Sequence, residues 1–302
     1  VKGFAINKFR GDPSLFDDAV PVIEEGLSAP CLGIVPYFEA ASMLPAEDAV
    51  SLDGAGTRLA LGGARTIRIA VPRFACIANF DDLDPLRAEP DVDLVIVEPG
   101  RALPGDADLV LLPGSKSTRA DLAQLRVQGW DIDIQAHLRR GGSLLGLCGG
   151  YQMLGRSIAD SAGVEGAAGL SEGLGHLDVT TELAGEKRLE SVAGCEIESG
   201  EAVSGYEMHM GATAGPDRAR PMLELAHGEE GARSRDGKVS GSYVHGLFAA
   251  DGFRHAFLDR LAQRQRSGIY WESSVEQTLD ALARHLEDAL DLDHLLEIAR
   301  AR

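Results

Sequence analysis

The stretch Gly141-Gly142-Ser143-Leu144-Leu145-Gly146-Leu147-Cys148-Gly149-Gly150-Tyr151-Gln152-Met153-Leu154-Gly155 constrains the fold of this chain more than any other. Ser143–Leu147 is a short apolar run without strict alternation, as expected of a strand buried on both faces of a parallel sheet. A helix is predicted over Tyr151–Ile158, which leaves Cys148 at the strand-to-helix junction. Glycines at 146, 149 and 150 suit a tight turn in which the backbone makes close approaches or visits positive φ. Such a turn lifts a side chain out above the end of a sheet. A thiol at a helix amino end also feels the positive pole of the macrodipole, which favours the thiolate. Cys148 is therefore the best nucleophile in the chain. The alternative, a buried structural cysteine, is the commoner fate of the residue type, but it would not require the crowd of glycines.

The totals narrow the partners. With 302 residues there is room for two domains, or for one large α/β domain with additions. A formal net charge of −18 repels phosphate backbones, and no local basic patch offsets it, so no nucleic-acid partner is expected. No signal-peptide pattern or span-length apolar run occurs, so no membrane is expected either. Cys31, Cys76, Cys148 and Cys195 are scattered, without CxxC or Cys/His ligand spacing. That pattern argues against a metal site and a disulfide framework, and makes a reducing cytoplasm the default.

In chain order, Val1–Ile6 reads as a strand followed by Asn7–Asp12, Leu15–Glu25 as a helix and Cys31–Val35 as a second strand. This strand–helix–strand crossover implies a parallel sheet with too few strands to bury a core, so more of it is expected elsewhere. An acidic, Gly-rich boundary follows. From residue 66 a second α/β pattern begins, with strands at Thr66–Val71, Val92–Val97, Leu109–Leu112 and Ser143–Leu147. Helices fit Thr118–Gln128, Ile132–Arg139 and Tyr151–Ile158. Such alternation predicts an α/β fold with a doubly wound, mostly parallel sheet, whose sites lie at the carboxyl ends of the strands. Gly173–Thr181 and the region to Met222 read as antiparallel additions, and Lys238–Val244 as a strand leading into His245. A helix at 252–263 follows. The terminal helices, with a capping box at Ser273 and Glu276, read as packing elements. The boundaries drawn are 1–45, 46–63 as linker, 64–262 as the main domain, and 263–302 as a helical extension.

A cysteine nucleophile requires a base close in space. Of eight histidines, His285 and His294 fall in charged helices and read as solvated, His137 and His255 as packing or surface residues, and His227 as part of a turn. His245 ends a predicted strand and precedes Gly246, which makes it the leading partner; His209 is second. Leu111-Leu112-Pro113-Gly114-Ser115-Lys116-Ser117 ends a strand in a loop able to present backbone N–H groups. Gly114 and Gly149 are the candidate donors to an oxyanion. The spacing of a phosphate loop is absent.

Gly146–Gly155 resembles the nucleophile motif of triad-type (class I) glutamine amidotransferases, and most of all their cobyric acid synthase branch. Supporting marks are Leu112–Thr118, Gly205-Tyr206-Glu207-Met208-His209-Met210-Gly211, Gly241-Ser242-Tyr243-Val244-His245-Gly246-Leu247-Phe248, and Ala78–Leu86. Together they span about residues 64–260. Residues 1–45, through Asn7-Lys8-Phe9-Arg10-Gly11-Asp12 and Gly33–Tyr37, resemble the tail of the P-loop, dethiobiotin-synthetase-like domain that precedes the amidotransferase domain in this branch. Its phosphate-binding loop would then lie upstream of Val1.

The resemblance implies a flavodoxin-like amidotransferase domain in which Cys148 attacks the glutamine carboxamide and His245 handles the protons. Gly114 and Gly149 would hold the oxyanion and Gln152 would line the glutamine pocket. Tyr206, Glu207, His209 and Tyr243 are expected near the site, and Asn7 and Lys8 mark the nucleotide domain. Implied partners are glutamine and the corrinoid adenosylcobyrinic acid a,c-diamide; ATP and Mg2+ are implied for the full-length enzyme, with no cofactor expected on this part. Class I enzymes usually carry a Glu two residues after the His. Leu247 stands there, as in the cobyric acid synthase branch, so the group that orients His245 is left open. The alternatives are a sister amidotransferase acting on cobyrinic acid or a cell-wall lipid precursor, a Cys–His hydrolase on the same fold, and a non-catalytic binding module.

Overall fold

The computed structural model describes residues 1–45, 66–184 and 188–301. The chain divides into two compact units, Val1–Pro45 with Glu272–Arg302, and Ala46–Trp271. The expected linker at 46–63 lies outside the described residues.

In the first unit, Phe4–Phe9 and Cys31–Pro36 pair in parallel around the helix Ala19–Leu27, giving the expected crossover. The first strand runs three residues further than the sequence suggests, so Asn7 and Lys8 lie within it, exposed and at an irregular register. The terminal helices, Trp271–Ala289 and Leu292–Arg300, belong largely to this unit rather than to a separate extension. The Asp291 N–H donates to the Leu32 carbonyl at 2.7 Å. Nor is His285 freely solvated: it is half-buried, with Nε2 2.9 Å from the Pro36 carbonyl oxygen and its ring 5.1 Å from Phe38. The helix begins at Trp271, so Ser273 lies inside the first turn, where it accepts from Gln277 and caps nothing.

The second unit holds the main core. Its six-stranded sheet runs in the order Ala232–Arg233, Val239–Ser242, Ser143–Leu147, Leu109–Leu112, Ile67–Pro72, Val92–Val97. All neighbours are parallel except the first pair. Leu109–Leu112 is buried at every position, as expected of a central parallel strand covered on both faces. Helices Thr118–Val127 and Trp130–Arg139 match the expected positions closely. The helix after Cys148 is shorter than expected. It spans Gly149–Leu154, and Ser157–Asp160 becomes a strand. Gly155, with no side chain and a β-region backbone, makes this break possible. The expected additions form two further sheets, a four-stranded one that is mixed, since Thr180–Glu182 pairs in parallel with Ser157–Asp160, and a five-stranded antiparallel one. In the latter, Ala202–His209 pairs with Val244–His245, and this pairing brings the second half of the chain to the end of the main sheet.

Candidate active site

Cys148 follows the last residue of the Ser143–Leu147 strand and occupies φ 49°, ψ −108°, a backbone conformation that an L residue holds only under strain. The turn depends on close packing. A Cβ on Gly150 would sit 2.1 Å from the Leu112 carbonyl oxygen, and one on Gly146 would sit 2.6 Å from the backbone of Gly150. No side chain fits at either position. The turn is further fixed by the Cys148 N–H, which donates to the Ser242 carbonyl at 2.8 Å, joining the nucleophile strand to the strand that leads to His245.

His245 is 1% exposed and bound to Asp82. Its Nδ1 lies 2.7 Å from Oδ2 of Asp82, whose Oδ1 accepts the Gly246 N–H at 2.6 Å. Asp82 is itself buried, in the 3-10 turn Phe80–Leu83. It is the group that orients the imidazole in place of the Glu that Leu247 replaces. Burial alone would lower the His245 pKa. The charge and hydrogen bond of Asp82, together with Cys148, outweigh it and push the imidazole up to about 10. Cys148 thus acts directly on the ring, although Nε2 is buried without a formed hydrogen bond and Sγ donates to the Met208 carbonyl at 3.4 Å. Such loose contacts are common in catalytic pairs before substrate arrives. A cysteine sulfur beside a histidine held by a carboxylate can serve nucleophilic attack followed by proton return.

The surrounding residues divide. Gly114 pairs with Ala78 in a two-residue antiparallel ladder; a Cβ there would lie 3.2 Å from Cε1 of His245, so this glycine abuts the imidazole. Gly149 opens the short helix, and its Cβ position is 3.0 Å from the Ser115 nitrogen. The two glycine-bearing turns therefore lie side by side at the thiol. Gln152 is buried with its carboxamide fully engaged: Oε1 accepts from Thr118 at 3.1 Å, while Nε2 donates to the Met210 carbonyl at 3.1 Å and the Tyr243 hydroxyl at 3.2 Å. These bonds lock its side chain between the helix that carries Thr118 and the segments of Met210 and Tyr243. Tyr243 continues the chain of hydroxyls to Thr213 at 2.6 Å and stacks on His209 at 3.8 Å. Burial drives His209 down to about 4, so that ring is neutral and cannot supply a cation near pH 7. Tyr206 stacks on His245. Glu207, the next residue along the strand, instead pairs with Arg188 at 2.8 Å and lies 3.6 Å from His227, so it is not brought to the Cys–His pair. Asn7 and Lys8 are in the other unit.

Asp82 was the residue that sequence reasoning missed. It is 163 positions from His245, and its only mark was the acidic run Asp81-Asp82-Leu83-Asp84 within a segment already quoted for the resemblance.

Residues 68–253 match the family model of the CobB/CobQ-like glutamine amidotransferase domain. The chain belongs to this family. Cobyric acid synthases from Jannaschia sp. (strain CCS1), Ruegeria sp. (strain TM1040) and Paracoccus denitrificans (strain Pd 1222) are 54%, 56% and 55% identical to it over 298, 299 and 300 residues. These matches take in 99% of this chain and 60%, 60% and 61% of the three relatives, so the chain spans about three-fifths of their length. Among solved structures, PurLQS from Thermotoga maritima is similar at a TM-score of 0.49 and 16% identity, covering 65% of this chain and 100% of that one. The doubly wound α/β fold expected of the family is the fold observed. Among the described residues, no helix is long and apolar enough to cross a membrane.

Proposed function

We propose that this chain is the glutamine-hydrolysing part of a cobyric acid synthase, supplying ammonia for amidation of the carboxylates of adenosylcobyrinic acid a,c-diamide. The observation that carries the reading is the buried line Asp82–His245 beside Cys148, in a chain whose relatives of that name match it over almost its whole length.

In the first stage the Cys148 sulfur bonds to the carboxamide carbon of glutamine, and the negative charge moves to the carbonyl oxygen. The backbone amides of Gly114 and Gly149 are assigned to that charge, an interaction worth a few kcal/mol per donor. The C–N bond then breaks, and nitrogen leaves as ammonia with a proton from Nε2 of His245. In the second stage neutral Nε2 takes a proton from water, the water oxygen bonds to the thioester carbon, and the C–S bond breaks to release glutamate. Asp82 holds the ring with Nε2 free for both transfers. Gln152 shapes the pocket through Thr118, Met210 and Tyr243.

Amide formation on the corrinoid with ATP and Mg2+ is assigned to the remainder of the relatives' length. Asn7 and Lys8 lie exposed on a strand and do not make a nucleotide site alone, and among the described residues no three His, Cys, Asp or Glu side chains cluster as metal ligands.

The deciding experiment compares glutamine with ammonia as nitrogen source for amidation of the a,c-diamide by a full-length enzyme carrying this sequence. The wild type should use both, and Cys148→Ala ammonia alone. Retention of glutamine-dependent amidation by the alanine variant would refute the assignment.

A further inference from the structure

The groups around His245 form a closed ring of contacts that the hydrolytic reaction by itself does not account for. Tyr206 lies directly opposite His245 in the antiparallel ladder, with ring centroids 5.3 Å apart and planes inclined by 26°. The Tyr206 hydroxyl accepts a hydrogen bond from Asn79 Nδ2 at 2.7 Å. Asn79, in the left-handed region at φ 51°, introduces the 3-10 turn that carries Asp82. Asp82 closes the circuit on Nδ1 of His245 and on the Gly246 N–H. Asn79, Asp82, His245 and Tyr206 thus link three segments remote in sequence.

We propose that Tyr206, tethered through its hydroxyl to Asn79, is a positioning residue that holds the His245 imidazolium against Asp82 and stabilises its charge with the face of the phenol ring. This rests on reading Cys148 and His245 as the hydrolytic pair. The geometry suits the role. A cation stacked on an electron-rich ring in a desolvated site is held electrostatically, and a phenol does this without adding a formal charge. Burial and the neighbouring Asp81 carboxylate keep the Tyr206 hydroxyl protonated, up to about 12, so it stays neutral throughout the working range. The Asn79 tether adds a constraint of a different kind. It fixes the Asp82 turn and the Tyr206 strand relative to one another, so carboxylate and stacking ring meet the imidazole in one arrangement. Other titratable groups acting on this corner are Asp81, from the same turn as Asp82, Cys148, from the strand–helix junction, and His209, from the Tyr206 strand.

A double-mutant cycle with an NMR titration of the His245 ring in this chain tests the proposal. Tyr206→Leu removes ring and tether, and the His245 midpoint should fall by about one unit, with the alkaline limb of the glutaminase pH profile moving alongside it. Tyr206→Phe keeps the ring and loses the tether. Here kcat should drop about fivefold with KM unchanged and the midpoint nearly in place. Asn79→Ala should reproduce Tyr206→Phe, and the double variant should lose no more than either alone. A folded, active Tyr206→Leu protein whose His245 titrates as in the wild type overturns the proposal. So does a double variant in which the two losses multiply. If Tyr206→Leu does not fold, the cycle built on Phe and Ala decides alone. A wild-type chain that hydrolyses no glutamine would instead count against the hydrolytic pair itself, while the NMR midpoints would still report on the stacking.

Discussion

At Cys148 the chain holds a reactive side chain on a strained backbone, and the two features can be separated by substitution. A non-glycine residue at φ 49°, ψ −108° costs about 1–3 kcal/mol. Cys148→Gly should therefore be more stable than Cys148→Ala by about 1 kcal/mol in chemical denaturation, although both lack the thiol and should be equally inactive. The partner His245 can be tested through Asp82. Asp82→Asn removes the charge that holds the imidazole near 10, so the NMR midpoint should fall towards the ordinary histidine value and glutamine hydrolysis should drop by about 100-fold or more. The linked stability follows in sign. A histidine whose folded pKa lies above its unfolded value contributes fully below about 6.5, and that contribution is lost as pH rises through about 10. The wild type should accordingly lose thermal stability across that window, and Asp82→Asn should lose much less.

Among the elements, the segment that delivers His245 rests on a buried acid. Glu230 accepts from the Ser242 hydroxyl and the Tyr243 N–H, both at 2.7 Å, and burial raises its pKa to about 7. For a carboxyl group raised in this way, protonation stabilises the folded state. Its contribution is complete below the ordinary glutamate value and is lost as pH rises through about 7. Glu230→Gln, neutral at every pH, should flatten the decline in melting temperature between about pH 4.5 and 7, and should match or exceed the wild type at pH 8. The nucleophile turn is less forgiving. Gly150→Ala would force the short helix away from the Leu109–Leu112 strand, because the new methyl would meet the backbone oxygen of Leu112 with nothing flexible to yield. A loss of about 3 kcal/mol or more, read from urea denaturation, is expected.

The whole molecule divides its hydrophobic burial unevenly. Among the described residues, nearly all the large buried apolar side chains, from Ile67 to Ala262, belong to one cluster in the second unit, whereas the first unit buries Ala29, Leu32 and Val35. Stability scales with apolar burial, so calorimetry of this chain should show two transitions, the earlier one belonging to the first unit. Fluorine labels at Phe9 and Phe248 would assign them. A single transition with both labels melting together would contradict that division.

Much of this was legible in the chain itself. Continuous apolar runs and their glycine boundaries placed the strands Val92–Val97, Leu109–Leu112 and Ser143–Leu147 to the residue, because local pattern dictates local structure. The same reading made Cys148 and His245 the leading candidates for the reacting pair. It overran the helix after Cys148 and put a cap at Ser273, since strand pairing at 157–160 and the start at Trp271 are decided by contacts with distant segments. Only the folded molecule selected Asp82 from among its acidic neighbours, stacked Tyr206 on His245, and turned Glu207 to Arg188. The reason is common to all three. Which side chain reaches a given atom depends on how separate strands and turns are set in register, and a linear pattern carries no information about that register.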